Sequence, residues 1–206
     1  MDWELKLKDY IRKYCPQINL PSITKYIIFY REILKWNRVT NLISRKSPET
    51  TLVRLMVDSL FLLSILRGDE TFLDVGAGAG FPGIPVLLGS RTRGVLVEAR
   101  KKRAAFLNHM IHTLEIANTT VLEKKLTPET PLEQSDFDCL WSKAGIPRHQ
   151  LFALGERKLH PGGRLVIFHP MDTIPEEEQM RTLARNHGFK NIRFRMFQCP
   201  DLDRKS

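Results

Sequence analysis

The sequence predicts an α/β protein, a doubly wound parallel sheet preceded by an N-terminal helical cap, and three observations lead there. Residues 1–66 carry helical apolar spacing and no strand-like run. From Thr71 onward, short apolar runs alternate with helical stretches, the pattern of a parallel sheet with right-handed crossovers. The first of these runs passes into a glycine-rich turn, Asp74-Val75-Gly76-Ala77-Gly78-Ala79-Gly80-Phe81-Pro82-Gly83, and then into a helix. The expected organisation is a cap over 1–66 and one compact domain over 67–206.

Within the cap, Leu5, Leu7, Tyr10, Ile11 and Tyr14 mark a first amphipathic helix, broken by Pro16 and Pro21. Ser22 is the expected cap of a second helix, whose stripe runs through Ile23, Tyr26, Ile27, Tyr30, Ile33, Leu34 and Trp36 and reads as core. An asparagine-punctuated turn, Lys35 to Ser44, leads to a third helix over 51–66. Beyond the cap, strands are expected over 71–75, 94–98, 119–123, 136–141, 164–169 and 191–197, with helices near 82–89, 101–115, 147–159 and 174–187. Gly162-Gly163 reads as a tight turn into the fifth strand. Ligands of such open sheets bind at the carboxyl ends of the strands. That directs attention to 74–83, 98–100, 125–127, 142–145 and 169–171.

Composition narrows the partners. Lys and Arg number 32 against 23 Asp and Glu, a formal charge of +9, and the basic residues recur in small groups such as Arg100-Lys101-Lys102-Arg103. Such a balance favours a polyanion. Cys15, Cys139 and Cys199 are far apart and form no Cys-x-x-Cys spacing, so neither a disulfide framework nor a zinc site is indicated. His109 and His112 share a helix without a third ligand at recognisable spacing, and no metal is expected. No apolar stretch approaches the ~20 residues of a membrane span, and the expected location is the cytoplasm.

The glycine turn poses a choice of cofactor. Gly78-x-Gly80-x-x-Gly83 matches the dinucleotide fingerprint, and Glu98 lies at the right distance for a ribose contact. Asp74 argues the other way. A carboxylate there would repel a pyrophosphate, which prefers bare N–H groups at a helix N-terminus. It would attract the sulfonium and ammonium of S-adenosylmethionine. Asp-x-Gly-x-Gly-x-Gly, followed by an acid after Val95-Leu96-Val97, is the pattern of class I, Rossmann-like methyltransferases that use this donor and release S-adenosylhomocysteine. An NAD oxidoreductase stays open as the lesser alternative.

Further motifs extend the match. Lys35-Trp36-Asn37-x-x-x-Asn41-Leu42, Asp58-Ser59, the run from Asp74 to Gly83-Ile84-Pro85, Lys101-Lys102-Arg103 and Phe106-Leu107 follow one another in a family's order and spacing. In these the chain resembles the small-subunit ribosomal RNA guanine-N7 methyltransferases, also called glucose-inhibited division protein B. The resemblance implies methyl transfer to guanine N7 of 16S ribosomal RNA, free or within a ribosomal particle. It implies that Gly76 and Phe81 line the methionine and adenine region of the cofactor site, with Gly78 and Gly80 in the same loop. Glu98, Ala99 and Arg100 would lie near the ribose, Leu126 and Thr127 would flank the adenine, and Lys143 would stand near cofactor and substrate.

The chain also departs from the family's pattern, mostly on the substrate side. Leu55 stands for a histidine, Lys125 and Thr127 for an arginine and an acid, Lys143 for an arginine, and His169-Pro170 for Lys-Gly. A methyltransferase of the same fold with another substrate, or a cofactor- and RNA-binding protein without turnover, therefore stays open. Guanine N7 presents a free lone pair, so no base is needed to remove a proton. A chain without Ser/His/Asp or paired-carboxylate signals fits that chemistry, and no catalytic residue is assigned from sequence.

Overall fold

The computed structural model describes residues 2–143, 145–168, 177–191 and 193. Asp2 caps helix α1 (Trp3–Tyr14), its carboxylate accepting the Glu4 and Leu5 N–H groups at 3.1 Å each. Helix α2 (Leu20–Trp36) begins earlier than expected, because Asn19 rather than Ser22 is its cap: Asn19 Oδ1 accepts the Ser22 N–H at 2.9 Å. Pro21 sits in the first turn, where a missing N–H costs nothing, so it starts this helix instead of interrupting the chain. Asn37 then closes the turn that follows. Its buried Oδ1 accepts from both Leu42 N–H (2.9 Å) and Ile43 N–H (3.1 Å). Helix α3 (Pro48–Phe61) follows and ends in a 3₁₀ turn, Leu62–Ser64.

Among the described residues, five strands form one parallel sheet in the order β3-β2-β1-β4-β5: β1 (Thr71–Val75), β2 (Arg93–Val97), β3 (Thr119–Leu122), β4 (Phe137–Ser142) and β5 (Leu159–Ile167). Helices α4 (Gly83–Gly89) and α5 (Lys101–Thr113) make the crossovers on one side of β1, and α6 (Arg148–Lys158) joins β4 to β5. Helix α7 (Glu177–Asn186) packs on α6, where Phe152 meets Met180 and Ala184. Strand β5 starts five residues earlier than expected. Leu159 pairs with Phe137 and Arg164 with Cys139, so Pro161-Gly162-Gly163 is a bulge inside the strand and not a turn before it. The expected strand over 191–197 lies, apart from 191 and 193, outside the described residues.

Alternation along the strands divides the core between the two faces. Phe72, Leu96 and Trp141 point to the face covered by α4 and α5, and their cluster continues without a break into Tyr26, Phe29, Ile33, Val53 and Met56 of the cap. Phe72 and Trp141 stack with ring centroids 4.3 Å apart. The opposite face gathers Leu73, Val75, Val95, Val97 and Leu140 against Leu151 and Leu154 of α6. The cap therefore completes the sheet's hydrophobic core on one side. Between β1 and β4 the strand order reverses, which opens the crevice where open α/β sheets bind ligands.

One buried polar bond ties the two halves together: the Tyr26 hydroxyl of α2 donates to the Pro85 carbonyl of α4 at 2.6 Å. Tyr26→Phe leaves that carbonyl without its donor, and we expect a loss of about 1–3 kcal/mol. Urea unfolding should show it as a lower midpoint of one transition with unchanged slope.

Candidate functional site

The site is built around the turn that follows β1. Gly76 and Ala77 N–H groups both donate to Val97 O, at 2.8 and 3.0 Å, which fastens the turn to the end of β2. Gly78 N–H donates to Glu98 Oε2 at 3.0 Å, and Glu98 Oε1 accepts the Arg100 N–H at 2.8 Å. Gly80 has φ +86°, and a Cβ there would lie 2.6 Å from Ile84 Cδ1, so only glycine fits between turn and helix. The Phe81–Pro82 peptide bond is cis.

Asp74 governs the far end of the turn. Its side chain is wholly buried, and Oδ2 accepts the Gly83 N–H, the first of α4, at 3.0 Å. A Cβ on Gly83 would come within 2.6 Å of that oxygen, so the close approach needs glycine. Oδ1 is buried without a hydrogen-bond partner, as is the indole Nε1 of Trp141, its neighbour across the β1–β4 register. Burial pushes the Asp74 carboxyl up from about 3.8 to about 7. The Trp141 indole dipole and the Gly83 N–H oppose that rise, and Glu98 adds to it.

The expectation that Asp74 presents an open carboxylate to a ligand is thus corrected. The residue lies beneath the turn and braces it, because its short side chain, one strand residue before Val75, meets the N-terminus of α4 before it meets solvent. The brace still decides between the two cofactors. A pyrophosphate needs free N–H groups at the helix start, and here a carboxylate takes the Gly83 N–H, while Val97 O and Glu98 take those of Gly76, Ala77 and Gly78. Glu98, close enough for its charge to raise Asp74, leaves the surroundings of the turn suited to a cationic ligand.

The structure brings together some of the remaining expected residues and separates others. Gly76, Gly78, Glu98, Ala99 and Arg100 meet at the ends of β1 and β2, with Ala99 and Arg100 exposed. Lys143 immediately follows β4 and is close enough to Asp74 to lower its carboxyl, and Gly145, two residues on, packs on Gly76, whose added Cβ would lie 3.0 Å from Gly145 Cα. The Phe81 side chain is buried. It turns into the cap side of the core, its ring centroid 5.1 Å from that of Phe29. Leu126 is buried on the opposite face with Val75 and Val97, whereas Thr127 is exposed and bonded to Thr130. His169 and Pro170 lie outside the described residues.

Residues without an expected role also enter. Arg103 donates to Asn41 O at 2.9 Å and so pins the cap's asparagine turn beside Gly78. Asp58 of α3 pairs with Lys143, Oδ2 to Nζ 2.8 Å, and Ser142 Oγ accepts the Gly145 N–H at 3.2 Å. Asp58 belongs to a motif visible in the sequence, but its partner is 85 residues away and only the fold supplies it. His109 bonds Glu32 of α2 and His160 bonds Asp138 at the amino-terminal edge of the sheet. Among the described residues no group of His, Cys, Asp and Glu is arranged to hold a metal. A surface depression between Thr71, Arg93 and Asn118 is also at the amino-terminal edge, away from this crevice.

The family model for rRNA small subunit methyltransferase G (GidB) matches residues 22–203. The chain belongs to this family. A ribosomal RNA small subunit methyltransferase G from Nitratidesulfovibrio vulgaris is 32% identical over 175 residues, 80% of this chain and 79% of that protein. One from Syntrophotalea carbinolica is 27% identical over 186 residues, 89% and 86% of the two chains. Among solved structures, a SAM-dependent methyltransferase from Aquifex aeolicus superposes with a TM-score of 0.52 at 19% identity, covering 66% of this chain and 81% of that one. A phosphoethanolamine N-methyltransferase from Haemonchus contortus in complex with S-adenosyl-L-methionine gives 0.52 at 20% identity over 64% and 36%. These likenesses establish the class I methyltransferase fold.

The raised Asp74 carboxyl links stability to pH. The folded state holds its proton more tightly than the unfolded chain, so this contribution is complete below about pH 4 and is lost as pH rises toward and through 7. The loss amounts to at most about 4 kcal/mol. Asp74→Asn keeps the acceptor for Gly83 and removes the titration. Urea midpoints measured from pH 4.5 to 8 should therefore fall less for Asp74→Asn than for the native protein.

Proposed function

We propose that this protein methylates guanine N7 in 16S ribosomal RNA, using S-adenosylmethionine, as a cytoplasmic enzyme. Membership of the family carries the ribosomal RNA methyltransferase reading, and the braced turn carries the choice of cofactor. When bound, S-adenosylmethionine supplies an electrophilic methyl carbon. The residues that would hold it are the 76–80 turn, Glu98 and the backbone of Ala99 and Arg100, with Lys143 facing them from β4. Each Glu98 oxygen accepts one backbone N–H and retains a lone pair for a ribose hydroxyl. Leu126 and Thr127 are proposed to flank the adenine.

Guanine N7 attacks through its own lone pair, so the protein's work is to hold base and methyl carbon in line. Nothing in the crevice has to act as a base. No helix among the described residues is long and apolar enough to cross a membrane. The basic surface of the chain suits a phosphate backbone, either of free RNA or of RNA within a ribosomal particle.

Glu98→Ala should weaken S-adenosylmethionine binding about tenfold to a hundredfold in calorimetry, with Glu98→Gln between it and the native protein. The function itself is tested by mass-spectrometric mapping of 16S ribosomal RNA from cells with and without the protein. One 7-methylguanosine that disappears with the protein is the expected result, and identical maps would refute it.

A further inference from the structure

From the Asp58–Lys143 pair we infer a guanine-reading device: Lys143 donates to the O6 atom of the target guanine, and Asp58 holds Lys143 and cancels its charge. This rests on the guanine-N7 reading above and adds the residues that select the base. Lys143 immediately follows β4, and Gly145, two residues on, packs on Gly76 of the cofactor turn. Its ammonium is near enough to Asp74, beneath the cofactor turn, to lower that carboxyl. Nζ is 2.8 Å from Asp58 Oδ2 and lies over the Phe168 ring, 5.4 Å from its centroid. The side chains of Lys143 and Asp58 remain 20% and 35% exposed, so the pair is open to a ligand.

Two chemical facts give the pair its function. A guanine presents O6 and N7 as adjacent acceptors, whereas an adenine presents an amino donor in place of O6. An ammonium has three donors and no acceptor, so with one bound to Asp58 it can serve O6 and would oppose an adenine amino group. The second fact concerns charge. Attack by N7 forms the N7–methyl bond with its own electron pair, breaks the sulfur–methyl bond, and leaves the positive charge on the purine ring. An unpaired ammonium beside that ring would oppose the transition state. With Asp58 beside it, the donor carries no net charge. Asp58 is a positioning residue in this scheme, because it acts through Lys143.

The test uses the full-length protein and 16S ribosomal RNA from cells lacking it, with labelled S-adenosylmethionine. Asp58→Asn should lower kcat roughly tenfold to a hundredfold while KM for RNA, and RNA affinity measured without cofactor, stay within about threefold. With the mapped guanosine replaced, the native protein should accept inosine, which keeps O6, and discriminate against 2-aminopurine, which lacks it, by about a hundredfold in kcat/KM. Lys143→Met should lose that discrimination. Unchanged kcat in Asp58→Asn, or the same preference for inosine in Lys143→Met, would overturn the assignment. Absence of any 7-methylguanosine with the native protein would instead overturn the reading on which it rests, and the assignment with it.

Discussion

The bond from the Gly83 N–H to the buried Asp74 carboxylate is the constraint on which the crevice depends. It joins the last turn of a strand to the first turn of a helix from inside, and the chain between them has to arch outward. Val97 O and Glu98 then hold the arch from the side of β2. A turn secured at both ends by its own strands keeps its shape without a ligand. The arrangement also sets polarity. By filling the helix start with the Asp74 carboxyl, the fold removes a donor that a phosphate would use.

The same economy appears in the chemistry. A nucleophile with an exposed lone pair and a donor with a built-in leaving group need alignment more than proton transfer. Two charged side chains of the crevice are matched, Glu98 with backbone donors and Lys143 with Asp58. Two histidines are engaged elsewhere, His109 with Glu32 and His160 with Asp138. Lys101 and Lys102 in the first turn of α5 are exposed, where a polyanion can meet them.

Much of the fold was legible because apolar period and glycine placement are local signals. The run Thr71–Val75, the helix after Pro82 and the change of periodicity after the cap were all visible without tertiary information. The start of α2 was misplaced because a proline read as a break sits in a first turn capped by Asn19, and capping depends on side-chain direction. The start of β5 was misplaced because two glycines serve a bulge as readily as a turn. In the site, spacing singles out Glu98 and the glycines, and the fold binds the Gly78 N–H to Glu98. Asp74 was found, but its direction was not, since a strand-end residue can face crevice or core and only packing decides. The family resemblance implies that Phe81 lines the cofactor region, yet its ring lies against Phe29 of the cap. The Asp58–Lys143 pair joins distant segments, and no local pattern could have announced it.

The unbroken cluster from Tyr26 and Phe29 to Phe72 and Trp141 has a consequence for how such a chain can be divided. A fragment beginning after the cap would present Phe81, Ile84, Phe106 and Met110 to water, a contiguous apolar surface of the kind that drives aggregation. The glycine turn is therefore no portable cassette: its inner wall is furnished by helices that precede it in the chain. Recombination with another methyltransferase would have to carry the first three helices along, or rebuild that wall residue by residue.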